Sequence, residues 1–148
     1  MNLKSFESEV ERKITERGLD YYRSGAVKKL EKVGNNEFSA TVFGSEKYSI
    51  YIKLNGEAII EHECDCPYDW GDVCKHKVAV FYAIRNGNFS DTSDKLNSLL
   101  ANLHESALRK FVEHLLVKDS QFRREFLREF DEDFEEDDEE DEFDEDYY

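Results

Sequence analysis

The stretch 64-CDCPYDWGDVCKH-76 holds all three cysteines of the chain and one of its four histidines. Cys64 and Cys66 are two apart, Cys74 and His76 are two apart, and seven residues separate the pairs. Residues two apart on an extended strand point to the same side, so Cys64 and Cys66 reach one ion if a strand ends there. Seven residues, Pro67 and Gly71 among them, then turn the chain, and Cys74 and His76 return from the start of a helix. Zinc takes four thiolate or imidazole donors in a tetrahedron, and this set closes one. A disulfide leaves one cysteine over, and a nucleophilic cysteine needs a base and an orienting partner beyond His76. The spacing predicts a closed Cys3His zinc site at Cys64, Cys66, Cys74 and His76. His62 shares the strand face as a fifth candidate, read as an ordinary strand residue because four ligands already complete the site.

Working outward, the upstream sequence alternates. Tyr48, Ile50, Ile52 and Leu54 share one face, and YSIYIKL and EAIIEHE flank Asn55-Gly56, a short hairpin signal. KKLEKV and EFSATVF flank 34-GNN-36. Together these predict a four-stranded antiparallel meander over about 26–64. Before it, Phe6, Val10 and Ile14 lie on one helical face, predicting a helix over 3–24 that Gly18 breaks and Gly25 stops. After the knuckle, the apolar run VAVFYAI (78–84) belongs to a buried helix from Val73 or Cys74 to Arg85, closed by NGN (86–88). Residues 88–94 read as a polar linker. Three helical patterns follow, with Asp94 and Asp119 as N-caps and His104 and His114 as plain helix residues. The fold class is therefore α+β: an N-terminal helix, a four-stranded antiparallel meander, a zinc knuckle and helix, a C-terminal helical segment and a disordered acidic tail. The segments divide as 1–88, 89–130 and 131–148.

The net charge of −15 is concentrated at one end. Residues 131–148 hold 14 acids and no base, while residues 1–130 hold 21 acids and 20 bases. Removing the tail takes the charge from −15 to −1. Like-charge runs repel themselves and serve as interaction tails. No run of 18 apolar residues and no export-type apolar segment is present, so the expected location is the reducing cytoplasm, where thiols stay free or bind metal.

The ligand pattern Cys-x-Cys, gap, Cys-x-His resembles the SWIM zinc finger. The segments 20-DYYRSGAV-27, 41-TVFGSEKYSIYI-52, 64-CDCPY-68 and 74-CKHKVAV-80 are similar to the corresponding parts of bacterial SWIM proteins, and the likeness covers about 1–88. It implies one structural zinc on Cys64, Cys66, Cys74 and His76, a helix and small sheet before the knuckle, and a non-catalytic binding module for protein or DNA. The expected function is an adaptor for a protein partner, in an assembly that handles DNA, with no membrane and no small-molecule substrate. Phe122, Phe126, Phe130 and Phe134, running at four-residue spacing into the acidic tail, are the candidate partner-binding residues. The alternative is direct DNA or RNA binding through Lys28, Lys29, Lys32, Lys75, Lys77 and Arg85, with Tyr21, Tyr22 and Trp70 stacking on bases and the acidic tail modulating the binding. A near-neutral body lacks the basic excess usual for that role.

Overall fold

Alternation sets the sheet. In the computed structural model, which describes residues 1–68 and 71–135, β1 (Val27–Gly34), β2 (Glu37–Phe43), β3 (Lys47–Asn55) and β4 (Ala58–Cys64) pair antiparallel in chain order. Residues 136–148, Asp69 and Trp70 lie outside the described residues, and with them most of the acidic segment expected to be disordered and the Trp70 expected to stack on bases. Phe38, Ala40 and Val42 on β2 stand opposite Ile52, Ile50 and Tyr48 on β3, and all six are buried. A one-residue slip would turn this whole set toward water, so burial fixes the register.

The meander departs from the expected one in its irregularities. The β3–β4 loop is Gly56-Glu57, not Asn55-Gly56: Asn55 pairs with Ala58, and only Gly56, at φ +59°, is left-handed. A bulge that leaves Ile60 without an opposite residue on β3 follows this turn. β1 is also bulged next to Lys29, which takes φ +50°. A fifth strand, β5 (Ser90–Asp91), joins the sheet parallel to β1, pairing Glu31 with Ser90 and Lys32 with Asp91. The polar composition of 88–94 gave no hint of it. The pairing is held by Thr92, whose backbone N–H donates to the Lys32 carbonyl at 2.9 Å.

The N-terminal helix is shorter than its periodicity suggests. A single 3₁₀ turn at Phe6–Ser8 precedes α1 (Arg12–Arg23), and Glu11 between them is extended at φ −52°, ψ 132°. Tertiary contacts override the period. The first residues are tied to the hairpin, with Leu3 N–H donating to Glu57 O and Ile59 N–H to Met1 O, each at 2.9 Å. Phe6 is then fully buried against Phe81 and Tyr82, at ring separations of 5.3 and 4.9 Å. Gly18 does not break α1; it is buried within the helix. The stop at Gly25 is as expected: at φ +75° it completes a Schellman closure, with its own N–H on Tyr22 O and that of Ala26 on Tyr21 O.

α2 (Lys75–Arg85) packs on the four antiparallel strands and on α1, and every residue from Val78 to Ile84 is buried. A helix apolar all round is a central one. It ends in a second Schellman closure at Gly87, φ +72°.

The remaining helices are α3 (Ser93–Asn102), α4 (Glu105–Lys118) and α5 (Ser120–Phe130). Asp94 is inside the first turn of α3 rather than capping it; Asp91 accepts the Ser93 N–H at 3.0 Å and its hydroxyl at 2.6 Å instead. Those two bonds hold the Asp91 carboxyl below the usual carboxylate range, with the Ser93 hydroxyl contributing most. Asp119 caps α5 as expected, accepting from Phe122 N–H at 3.0 Å. His104 caps α4 through Nδ1, which takes the Ser106 N–H at 3.2 Å, rather than lying inside a helix. Contacts divide the chain at Ala101, into Met1–Ala101 and the residues from Asn102 onward. Composition divides it at 88 and 130.

Candidate metal centre

The metal site is built where β4 ends and α2 begins. Cys64 is the last residue of β4, paired with Ile50. Asp65 prolongs the strand by one step: its Oδ1 accepts the Ser49 N–H at 2.8 Å and its own N–H reaches the Ser49 carbonyl. That extension holds Cys64 and Cys66 in strand-like spacing, both facing the return of the chain. Cys74 is the N-cap of α2, and its Sγ accepts the Lys77 N–H at 3.4 Å. His76 follows in the first turn and is only 5% exposed.

The four donor atoms of Cys64, Cys66, Cys74 and His76 all lie within 4.8 Å of one another, and Cys64 Sγ stands 3.9 Å from His76 Nδ1. Tetrahedral zinc, with bonds of about 2.3 Å to sulfur and 2.0 Å to nitrogen, needs ligand-to-ligand edges of about 3.5–3.8 Å. The donors are thus gathered to within about an ångström of the required figure, and three free thiols with one imidazole are the donor set of a structural zinc. The site holds one zinc, which supplies a cross-link between strand and helix. Four protein donors leave no open coordination position, in contrast to a catalytic zinc.

Cys74 and Cys64 share a proton. The Cys74 thiol is depressed, chiefly by a hydrogen bond from Cys64, then by His76 and the Lys77 backbone N–H at the helix start. Cys64 moves the other way, raised by sharing its proton with Cys74 and by burial.

His62 stays outside the cluster. Its Nδ1 accepts a hydrogen bond from Lys77 Nζ at 2.9 Å, and burial, with the Lys77 charge second, keeps the ring below its ordinary pKa. His76 is enclosed by the rings of Tyr48 and Tyr21, at 4.4 and 5.4 Å. Tyr48 and Gly44 complete this surround. Both fall in the quoted segment 41–52, but the alternation there marked Tyr48 only as core.

The candidate nucleic-acid residues are not brought onto one face by their contacts. Lys75 lies over the Tyr21 ring at 5.1 Å, beside the metal ligands. Lys77 is held by His62 and by the Asp72 carbonyl, the latter at 2.6 Å. Lys32 pairs with Asp91 at 3.9 Å, and Lys28 and Lys29 are exposed on β1. Tyr22 hydrogen-bonds Asn88. Arg85 is engaged internally: it pairs with Glu7 at 2.6 Å, donates to Leu3 O at 3.3 Å and lies over the rings of Phe6 and Tyr82. Replacing Arg85 by alanine is therefore expected to loosen the N-terminal turn and cost about 1–3 kcal/mol, the range for a charge-assisted bond with its stacking. Lysine should not restore it, since it lacks the planar fork. Urea denaturation of the two variants measures this, and wild-type stability in Arg85→Ala would refute the assignment. The candidate partner residues do form a row: Phe122 and Phe126 are 6.4 Å apart, and Phe126 and Phe130 are 4.8 Å apart. Phe134 follows beyond α5, half-buried.

Among the described residues, no helix is long and apolar enough to cross a membrane. Residues 48–85 match the SWIM zinc finger family model, a narrower span than the likeness over 1–88. An uncharacterized protein of the archaeon Methanocaldococcus jannaschii is 33% identical over 106 residues, which is 72% of this chain and 43% of that protein. The chain thus spans less than half the length of that relative. No solved structure matches the chain. All of β3 but its first residue, all of β4, the knuckle and all of α2 fall inside the span 48–85 that matches the SWIM zinc finger model.

Proposed function

We propose that this protein is a non-catalytic, zinc-stabilised adaptor in the cytoplasm, whose C-terminal helices dock a protein partner within an assembly that handles DNA. The observation that carries this reading is the apolar surface of those helices. Neither α4 nor α5 contains a buried residue, yet Phe111 is 59%, Val117 77% and Phe130 71% exposed. Two short helices that bury so little gain little stability from each other, and exposed aromatic residues of this kind are characteristic anchors of protein interfaces. The row of Phe122, Phe126 and Phe130, followed by Phe134, continues that surface toward the acidic segment. The closed ligand set favours a structural rather than a catalytic zinc, and the SWIM match favours a binding module.

Copurification of tagged full-length protein from its native host, with and without nuclease, tests this. A protein retained after nuclease treatment, at defined stoichiometry, and lost from a Phe111→Asp/Phe130→Asp variant is the expected result. Recovery that depends wholly on nucleic acid, or that survives the double substitution, would overturn it.

A further inference from the structure

Asparagine followed by glycine occurs twice in the chain, at Asn55-Gly56 and at Asn86-Gly87. Such a pair is chemically labile. Once the glycine amide nitrogen sheds its proton, it can attack the carbonyl carbon of the asparagine side chain. Glycine has no Cβ to obstruct the five-membered ring that results. In a folded protein the reaction requires that this nitrogen and this side chain both be free.

The two pairs differ on both counts. Asn86 closes α2: its Nδ2 donates to Tyr82 O at 2.9 Å, and the Gly87 N–H donates to Ile84 O at 3.0 Å. Nucleophile and electrophile are both engaged within a Schellman closure. Asn55 is the last residue of β3, paired with Ala58 across the two-residue loop of Gly56 and Glu57. It is exposed, and among the described residues neither its side chain nor the Gly56 N–H has a hydrogen-bond partner. Gly56 also stands clear of its surroundings: a Cβ added there would meet nothing within 4 Å. The loop can therefore turn into the reactive geometry without displacing a neighbour.

We propose that Asn55-Gly56 is a self-modifying site, at which the folded protein converts asparagine to isoaspartate. The Gly56 nitrogen, its proton taken by hydroxide, forms a bond to Asn55 Cγ. The Cγ–Nδ2 bond breaks, and Nδ2 leaves as ammonia after taking a proton from water. Water then opens the cyclic imide. Attack at the main-chain carbonyl carbon leaves the chain linked through the side chain, as isoaspartate with a free α-carboxylate; attack at Cγ gives aspartate. Either product adds a negative charge, and isoaspartate also adds a carbon to the main chain of a turn that only two residues close. The change falls where the N-terminus is tied down. The Glu57 carbonyl accepts the Leu3 N–H, Lys4 pairs with the Glu57 carboxylate at 2.8 Å, and Asn2 bridges to Ala58. A lengthened turn loosens that tie, and with it the seat of Phe6. The inference does not rest on the protein partner proposed above.

The test incubates full-length, zinc-loaded protein at neutral and at mildly alkaline pH, both folded and in urea. Isoaspartate is read by an isoaspartyl methyltransferase, which transfers a labelled methyl group from S-adenosylmethionine to the new carboxylate, and is located by peptide mass spectrometry. In the folded protein the label should appear at residue 55, faster at the higher pH, and not at residue 86. In urea both residues should react, because the hydrogen bonds that protect Asn86 are gone. Asn55→Gln, whose longer side chain would have to close a six-membered ring, should lose the signal of the folded protein; Asn86→Gln should keep it. The isoaspartyl protein, separated by ion exchange, should melt below the fresh protein. Three results would each overturn the proposal: no isoaspartate at 55 in the folded protein over a period in which the chain in urea forms it, equal labelling of 55 and 86 in the folded protein, or a signal that survives Asn55→Gln. An isoaspartyl protein that melts with the fresh one would overturn the loosening of the N-terminal tie.

Discussion

Cys66→Ser is expected to strip the zinc from the protein and lower its melting temperature by roughly 12–40 °C. The metal joins the end of β4 to the first turn of α2, and α2 is the element on which both α1 and the sheet are packed. Structural zinc contributes an apparent 10–16 kcal/mol in finger peptides, about as much as the whole net stability of an ordinary domain. The 19 buried apolar residues other than Cys74 among the described residues of Met1–Ala101 moderate the loss. A loss of about 3–5 kcal/mol, at about 4–8 °C per kcal/mol for a unit near 100 residues, gives the stated range. Val78 and Phe81, both fully buried one and two turns into α2, should become accessible, seen as binding of a hydrophobic dye. Elemental analysis and calorimetry are the measurements, with His62→Ala as a control that retains zinc. Full zinc retention by Cys66→Ser would exclude that ligand.

Gly18→Ala should be the second most damaging single change. Alanine is worth about 1 kcal/mol over glycine in a helix interior, and α1 shows no left-handed backbone at this position. Packing reverses the sign. A Cβ at Gly18 would lie 2.5 Å from Val78 Cβ, 3.0 Å from the Lys75 carbonyl and in hard collision with Val78 Cγ1. Backbone and a β-branched side chain cannot yield as a flexible tip would, so α1 must lift from α2. Overpacking of this kind costs about 1–3 kcal/mol, sometimes more, and we expect a net loss of about 2 kcal/mol after the propensity gain. Because Lys75 lies between Cys74 and His76, the displacement should weaken zinc binding as well. Val78→Ala in the same chain should recover part of the loss, giving a coupling well outside additivity. Denaturation of the four proteins of the cycle tests this; a Gly18→Ala protein as stable as wild type would sink it.

These cases show what sequence can and cannot reveal here. Cys64, Cys66, Cys74 and His76 were legible because metal chemistry imposes spacing, and the strands were legible because β3 buries every second residue. Gly18 was misread as a helix break because nothing local distinguishes a glycine that relaxes the backbone from one that admits a neighbouring helix. β5 was invisible because two polar residues paired through their backbone leave no pattern in side chains. Phe6 lay on a correct apolar face in a wrong helix, since its burial is decided by Phe81 and Tyr82, some 75 residues away. The enclosure of His76 by Gly44, Tyr21 and Tyr48 required the three-dimensional fold.

The irregular outer edge of β1 bears on solubility. A sheet ending in a straight, uncharged strand offers its unpaired amides and carbonyls to any other extended chain and invites polymerisation. β1 is kinked by the bulge at Lys29, carries exposed Lys28 and Lys29 there, and is covered by β5 only at Glu31 and Lys32. Bend, charge and a two-residue cover are three ways of refusing an added strand. The same lysines that invite a reading as phosphate contacts thus have a second use, as guards against amyloid-like growth from this edge of the sheet.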